Sequence, residues 1–436
     1  MKTATNQEKW ILLAGILVRV VTFFTLNPHN HDWHFGVILE IVREKSLVLS
    51  NVTDQSYHPQ LYHLIGAILF AFIHRPKVVQ AFSLFISIST FVLVWRLFVQ
   101  KELLPSGKAR FWVFGLTAFH PQWIYYTLYI SNDTLSAFVG VLWFNCVDGY
   151  FRKATALRAL TIGGSVALGL ATKATFLLFL PITGLLVVGK EFFGEGSRDQ
   201  KIRGMAVVLL VMLVSSFGAY KFLENQVAFG RMTVTPFDIE PVPDWITDQR
   251  KGRAVADSYF SFDLPGMIRQ PLTESRRDYP TLLYSSFWFD YLPVHFRSSV
   301  WPYYLLGSVI LIVSICPSIL IATGFGKAIL ESKNLLGTAE SDGRKPMMAI
   351  SVVVVVLNLS MLVLAEFRYG VWSIMHSRLM LPSLIGILLF MAIGYEWTEK
   401  RSRLRFVANV SLGCLLALFI AQIILEWGLV VFTKWH

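Results

Sequence analysis

Residues 406–432 read FVANVSLGCLLALFIAQIILEWGLVVF, with Glu426 as their single charged side chain. A helix of this length outruns the roughly 20 apolar residues that cross a bilayer core. Just before it stand Lys400, Arg401, Arg403 and Arg405. Such a basic cluster at one end of an apolar span marks the cytoplasmic side. The same alternation recurs through the chain. Residues 10–26 and 352–365 are nearly uncharged. Overall, 54% of the 436 residues are hydrophobic and 15% charged, where a soluble domain has about a quarter charged. The fold expected is all-α and polytopic.

The basic residues set the topology. Lys2 and Lys9 precede the first apolar run and place the N-terminus inside. Further inner loops hold Lys101, Lys108 and Arg110, then Arg152, Lys153 and Arg158. Three more hold Lys190, Arg198, Lys201 and Arg203; Lys327, Lys333, Arg344 and Lys345; and the 400–405 cluster. The short outer connections at 129–133 and 366–377 carry Arg368 alone. About 11 spans follow, near 10–27, 79–99, 110–130, 133–151, 156–172, 174–189, 204–223, 301–325, 346–365, 378–395 and 406–432. The net charge of +11 is thereby explained by inner loops, and no nucleic-acid partner is expected. Cys146, Cys316 and Cys414 all fall in apolar spans, against a disulfide framework or a thiolate metal site. The first span reads as a retained anchor, since no small-residue cleavage site follows it.

One apolar stretch, Leu61–Ile73, does not fit this count. Including it inverts every later loop, and it is too short to span. It reads as a juxtamembrane or re-entrant helix on the outer face. Two outer loops are then long, residues 27–80 and 224–300, within a single domain covering 1–436.

The first of these loops holds six of the ten histidines. It contains His29-Asn30-His31-Asp32-Trp33-His34-Phe35-Gly36, after which Val37, Ile38, Ile41 and Val42 face away from Glu40, Arg43 and Glu44. That spacing gives an amphipathic helix lying in the interface plane. Asp32 at its start has a plain reading as an N-cap. Tyr57-His58-Pro59-Gln60-Leu61-Tyr62 then opens the short helix.

These residues carry a resemblance. Asp32-Trp33-His34-Phe35-Gly36 followed by His58-Pro59-Gln60-Leu61 resembles the first outer loop of the GT-C glycosyltransferases, closest to the protein O-mannosyltransferase and aminoarabinose-transferase-like branch. The sequence departs from the O-mannosyltransferases at Trp33, where they have Glu, and at Gln60, where a second Pro is usual. Tyr129-Ile130-Ser131-Asn132-Asp133-Thr134, Leu168-Gly169-Leu170-Ala171-Thr172-Lys173 and His376-Ser377-Arg378-Leu379-Met380-Leu381-Pro382 are similar to later elements of the same plan.

The resemblance implies transfer of a sugar from a polyprenyl-phosphate-linked donor to a glycan, lipid or protein acceptor on the outer face. The lipid phosphate leaves, so cations belong where negative charge develops. Lys173, Arg297 and Arg378, with His376, are the candidates. A plainer reading for each cation is snorkelling to the interface. Asp32 is the candidate general base; attack opposite the phosphate inverts the anomeric centre. A phosphate acceptor needs no base, and Asp32 would then position it or hold a metal. His34, His58 and Asp133 are further substrate-site candidates, although an Asn-Asp pair at a helix start often caps it. No ligand spacing specifies a metal site, so no cofactor is assigned, and a divalent metal stays open. A different class, a transporter or lipid flippase, calls for inverted repeats and polar groups at the midplane. The spans lack these features. Compact length and the lack of a soluble extension point to the plasma membrane of a prokaryote rather than the endoplasmic reticulum.

Overall fold

The computed structural model describes residues 4–28, 33–53, 55–101, 103–104, 107–192, 198–235, 238, 256–271, 278–289, 301–332 and 344–435. Every regular element among them is helical. Helix α1 is Asn6–Thr25, α2 His34–Glu44, α3 Leu61–Ile73 and α4 Pro76–Trp95. Then come α5 Gly107–Phe119, α6 Pro121–Tyr126, α7 Asn132–Arg152, α8 Ala156–Leu170, α9 Phe179–Phe192, α10 Arg198–Ser216 and α11 Tyr220–Phe229. The C-terminal part contributes α12 Leu264–Arg269, α13 Tyr279–Trp288, α14 Trp301–Val313, α15 Ile315–Ser332, α16 Arg344–Tyr369, α17 Leu384–Glu399 and α18 Ser402–Trp435.

Among the described residues, seven stretches are long and apolar enough to cross a membrane: Pro76–Gln100, Ala174–Glu191, Gly204–Phe229, Pro302–Ser332, Arg344–Tyr369, Ser377–Glu399 and Ser402–Gly428. The chain is a multi-pass membrane protein. The other four expected spans look different. Residues 10–27 lie on α1, which buries Glu8 and Arg19. Residues 133–151 lie on α7, which buries Asp133 and Asp148. Residues 156–172 hold only the 15-residue helix α8, Ala156–Leu170, and the turn after it.

The expected span 110–130 is broken into α5 and α6 at His120-Pro121. Proline lacks the N–H that would bond the carbonyl four residues back, here that of Thr117. Arg19 of α1 compensates. Its guanidinium donates to the carbonyls of Ala118 at 3.1 Å and Thr117 at 3.4 Å, and it packs 4.4 Å from the centre of the Phe91 ring. A buried cation and a proline break thus satisfy each other.

The segment Ser377–Glu399 forms the centre of the bundle, with 83% of its apolar window buried against 28–44% for the other six. Glycines allow this. Gly324 of α15 faces the Phe390 carbonyl, and Gly394 of α17 faces that of Leu320. No side chain fits between these backbones, the small-residue packing common in membranes. Gly140 of α7 does the same on the other side, where a Cβ would lie 2.7 Å from Pro382 Cα. This contact draws the 3₁₀ turn Ser377–Ser383 onto α7.

Helix α3 occupies the 13 residues of the apolar stretch excluded from the span count. It packs against α2, which buries His34, Val37, Ile38 and Ile41 as its amphipathic pattern requires. The N-cap of α2 is Trp33, in the left-handed region at φ 60°, with no side-chain cap hydrogen bond. The first residue of α3 is Leu61, not Pro59; the buried side chain of Gln60 at its N-cap fixes the approach. Gln60 accepts from Val48 N–H at 3.1 Å and donates to the carbonyls of Val48 at 2.7 Å and Ser56 at 3.1 Å. If α3 does not span, cysteines replacing the exposed Asn51 and Arg75 should both react with a membrane-impermeant maleimide from one face of sealed vesicles. Opposite accessibility would reverse the sidedness of all that follows α3.

Candidate functional site

Three segments far apart in sequence meet at one carboxylate. Asp133 lies in the first turn of α7, whose N-cap Ser131 accepts from Asp133 N–H at 3.1 Å. Ser131, not Asp133, caps the helix. The Asp133 carboxylate instead pairs through Oδ1 with Lys173 Nζ. Its Oδ2 lies 4.0 Å from Arg378 Nε. Lys173 comes from the turn after α8, where Leu61 N–H bonds the Ala171 carbonyl at 2.9 Å and Asn132 Nδ2 donates to the Thr172 carbonyl at 3.4 Å. These bonds tie the α3 start, the α7 start and the Lys173 turn together.

Arg378 arrives on the 3₁₀ turn that Gly140 admits. Its backbone N–H donates to His376 Nδ1 at 3.3 Å, and the His376 Nε2 lies 3.4 Å from the Tyr126 hydroxyl. Ser377 N–H donates to Ser286 Oγ of α13 at 3.0 Å. The second long loop is thereby joined to the same turn.

A histidine cluster adjoins the carboxylate. His34 Nδ1 and His63 Nε2 share a hydrogen bond of 2.9 Å, with both rings buried. His58 stacks on His34 with ring centres 5.9 Å apart, and Tyr57 covers His58 at 3.9 Å. His34 is close enough to Asp133 to act on it electrostatically. Burial, then the neighbouring His34 and Lys221, hold the His63 ring well below its ordinary pKa, so it stays neutral across the physiological range. One ring of the pair donates and the other accepts, so the tautomers of His34 and His63 are coupled.

The structure therefore brings Asp133, Lys173, Arg378, His376, His34 and His58 into one region. Asp32 and Arg297 lie outside the described residues. His63 and Tyr126 were not singled out from the sequence. Spacing offered one clue to His63, which falls two residues after Leu61 on the short helix already joined to the histidine-rich loop. Tyr126 gave none. Among the described residues, no group of three His, Cys, Asp or Glu side chains is arranged to hold a metal ion.

Electrostatics define what the region can do. Among the described residues, Lys173 and Arg378 both approach the carboxylate of Asp133, which gathers two cations in a largely buried setting. Side-chain exposure is 8% for Lys173, 7% for Asp133 and 17% for Arg378. Paired cations in such a setting suit contact with an anionic group.

No family model and no curated protein matches the sequence. Among solved structures, the chain is similar to the Archaeoglobus fulgidus oligosaccharyltransferase in its apo form, with a TM-score of 0.49 and 12% identity, over 97% of this chain and 56% of that one. The chain thus spans little more than half the length of that protein. It is also similar to ArnT from Cupriavidus metallidurans bound to undecaprenyl phosphate, with a TM-score of 0.37 and 14% identity, over 90% of this chain and 78% of that one. Against the apo state of the same ArnT the TM-score is 0.35 at 14% identity, over 88% and 77% of the two chains.

Proposed function

We propose that this chain is a GT-C-type glycosyltransferase that moves a sugar from a polyprenyl-phosphate-linked donor to an acceptor on the outer face, with inversion at the anomeric carbon. The observation that carries the reading is the meeting of Asp133, Lys173 and Arg378. All three come from segments whose sequences resemble elements of that superfamily.

The division of labour follows from charge. The donor breaks at the bond between the anomeric carbon and the phosphate oxygen, and the electron pair leaves with the phosphate. Lys173 and Arg378 stabilise the anion that develops, with His376 and Arg297 as the further candidates for that role. Asp133 holds the two cations in place before the donor arrives, so little reorganisation is needed during transfer. Asp32 takes the proton of an acceptor hydroxyl. His34, oriented by His63 and flanked by His58, lines the same region and is suited to hydrogen-bond the sugar or the acceptor. The membrane of a prokaryote supplies both the donor lipid and the setting.

The test is sugar transfer in vitro from a synthetic polyprenyl-phosphate donor by purified Lys173→Met and Arg378→Gln variants. Losing a contact to a developing anion costs about 2.7–4 kcal/mol in the transition state. Transfer is thus expected to fall by about 100-fold or more in folded protein. Normal turnover in both variants would assign these side chains to structure alone. Donor binding without transfer in the unaltered protein would favour a transporter or flippase.

A further inference from the structure

At the opposite end of the bundle from the site, as the basic loops orient it, helices α14, α15, α17 and α18 enclose a groove of about 630 Å³. Its walls include Cys316, Ile319, Trp397, Phe406, Val410 and Cys414, and among its lining side chains only Thr323, Thr398 and Ser411 bear a hydroxyl. The volume lies within the range of sites that take a small molecule. Trp397 and Leu404 bring the groove to the turn between α17 and α18, where Lys400, Arg401, Arg403 and Arg405 are all exposed. The Arg401 guanidinium sits 3.8 Å over the Trp397 ring, at the groove's edge. Of the nearby acids, Glu396 is engaged by Arg344 at 2.5 Å. Glu399 alone offsets the four cations within the turn itself. The first turn of α18 adds the positive end of a 34-residue helix.

We infer that this groove and its basic rim bind an anionic phospholipid of the cytoplasmic leaflet, one acyl chain lying in the groove and the phosphate against the Arg401–Arg405 turn. Charge complementarity selects this occupant. Lys and Arg clusters just cytoplasmic of a span attract anionic headgroups, and basic pockets between helices on that side hold them. A zwitterionic lipid fills the apolar walls equally well but gains nothing from four cations. The inference stands on the orientation given by the basic loops and is independent of the transfer chemistry.

The groove contains its own reporter. Cys414 is exposed and lines it, whereas Cys146 does not. The intact protein is reconstituted in nanodiscs of phosphatidylcholine, with or without phosphatidylglycerol, and treated with N-ethylmaleimide. Modification of Cys414 is followed by peptide mass spectrometry, with Cys146 as internal reference. Phosphatidylglycerol is expected to slow modification of Cys414 relative to phosphatidylcholine alone. Arg401→Gln and Arg405→Gln should each weaken that protection about fivefold, the effect of one basic residue near an anionic surface. Equal protection by the two lipids overturns the inference and needs no variant. Stronger protection by added polyprenyl phosphate than by phosphatidylglycerol also overturns it, in favour of the carrier lipid.

Discussion

Asp133→Ala is expected to destabilise the folded protein by about 3–5 kcal/mol, the usual cost of removing one partner from a buried ion pair. The cost arises because Lys173, 8% exposed, loses its buried carboxylate while Arg378, 4.0 Å from the same carboxylate, stays nearby. Asp133→Asn should cost less, since an amide still offers an oxygen to the Lys173 ammonium. The combination Asp133→Asn with Lys173→Met removes both charges and is expected to recover most of the lost stability, because an apolar replacement of a buried pair is often neutral. Transfer should stay low in the double variant. Thermal melting of the purified proteins, beside transfer from a polyprenyl-phosphate donor, separates the two quantities. A double variant that regains both stability and turnover would limit the pair to holding α7 against the turn after α8. Single and double variants equally unstable would mean that Lys173 finds another partner, and would remove the pair from the account of preorganisation.

The parts of this architecture legible in the sequence are those set by composition and local period. Helix α3 was expected at Leu61–Ile73 because thirteen apolar residues are too few to span, and the helix occupies those residues. The buried face of α2 follows from spacing alone. The break at His120-Pro121 was passed over because the residues on both sides are apolar. What makes it tolerable is Arg19, about a hundred positions earlier in the chain, which donates to the freed carbonyls. No local pattern reports a partner at that separation.

The candidate site divides along the same line. Lys173 and Arg378 were singled out as cations at span ends, and Asp133 as a separate acid. Their pairing depends on Gly140 admitting the Pro382 backbone, a tertiary contact. Gln60 was read as a departure from a Pro-Pro element, yet its amide makes three hydrogen bonds within the 48–60 loop. A second proline there would have left the Val48 amide and carbonyl without these partners. Loss of one motif residue is here the gain of a different anchor for the same loop.

Asp32→Asn is expected to leave the protein folded and able to bind donor while its transfer rate falls by about 100-fold or more, the loss typical when a general base is removed. Asn keeps the size and polarity of Asp and caps helices about as well, so the substitution isolates proton acceptance. The N-cap position of α2 belongs to Trp33, with no side-chain cap hydrogen bond at that position. The plainer explanation for an Asp at this point of the sequence is weakened accordingly. Trp33 holds a left-handed conformation, costly for a bulky residue, immediately beside the proposed base. Strain of that kind tends to collect where a site demands a particular backbone path. Asp133 is a poor substitute base, because its carboxylate is already engaged by Lys173 and faces Arg378. The measurement is single-turnover transfer from a saturating polyprenyl-phosphate donor, together with melting of the same preparations. Unchanged turnover in Asp32→Asn with a hydroxyl acceptor would remove Asp32 from proton transfer. Turnover that is lost with a hydroxyl acceptor but kept with a phosphate acceptor would support the base role directly, since a phosphate oxygen arrives already deprotonated and needs no base.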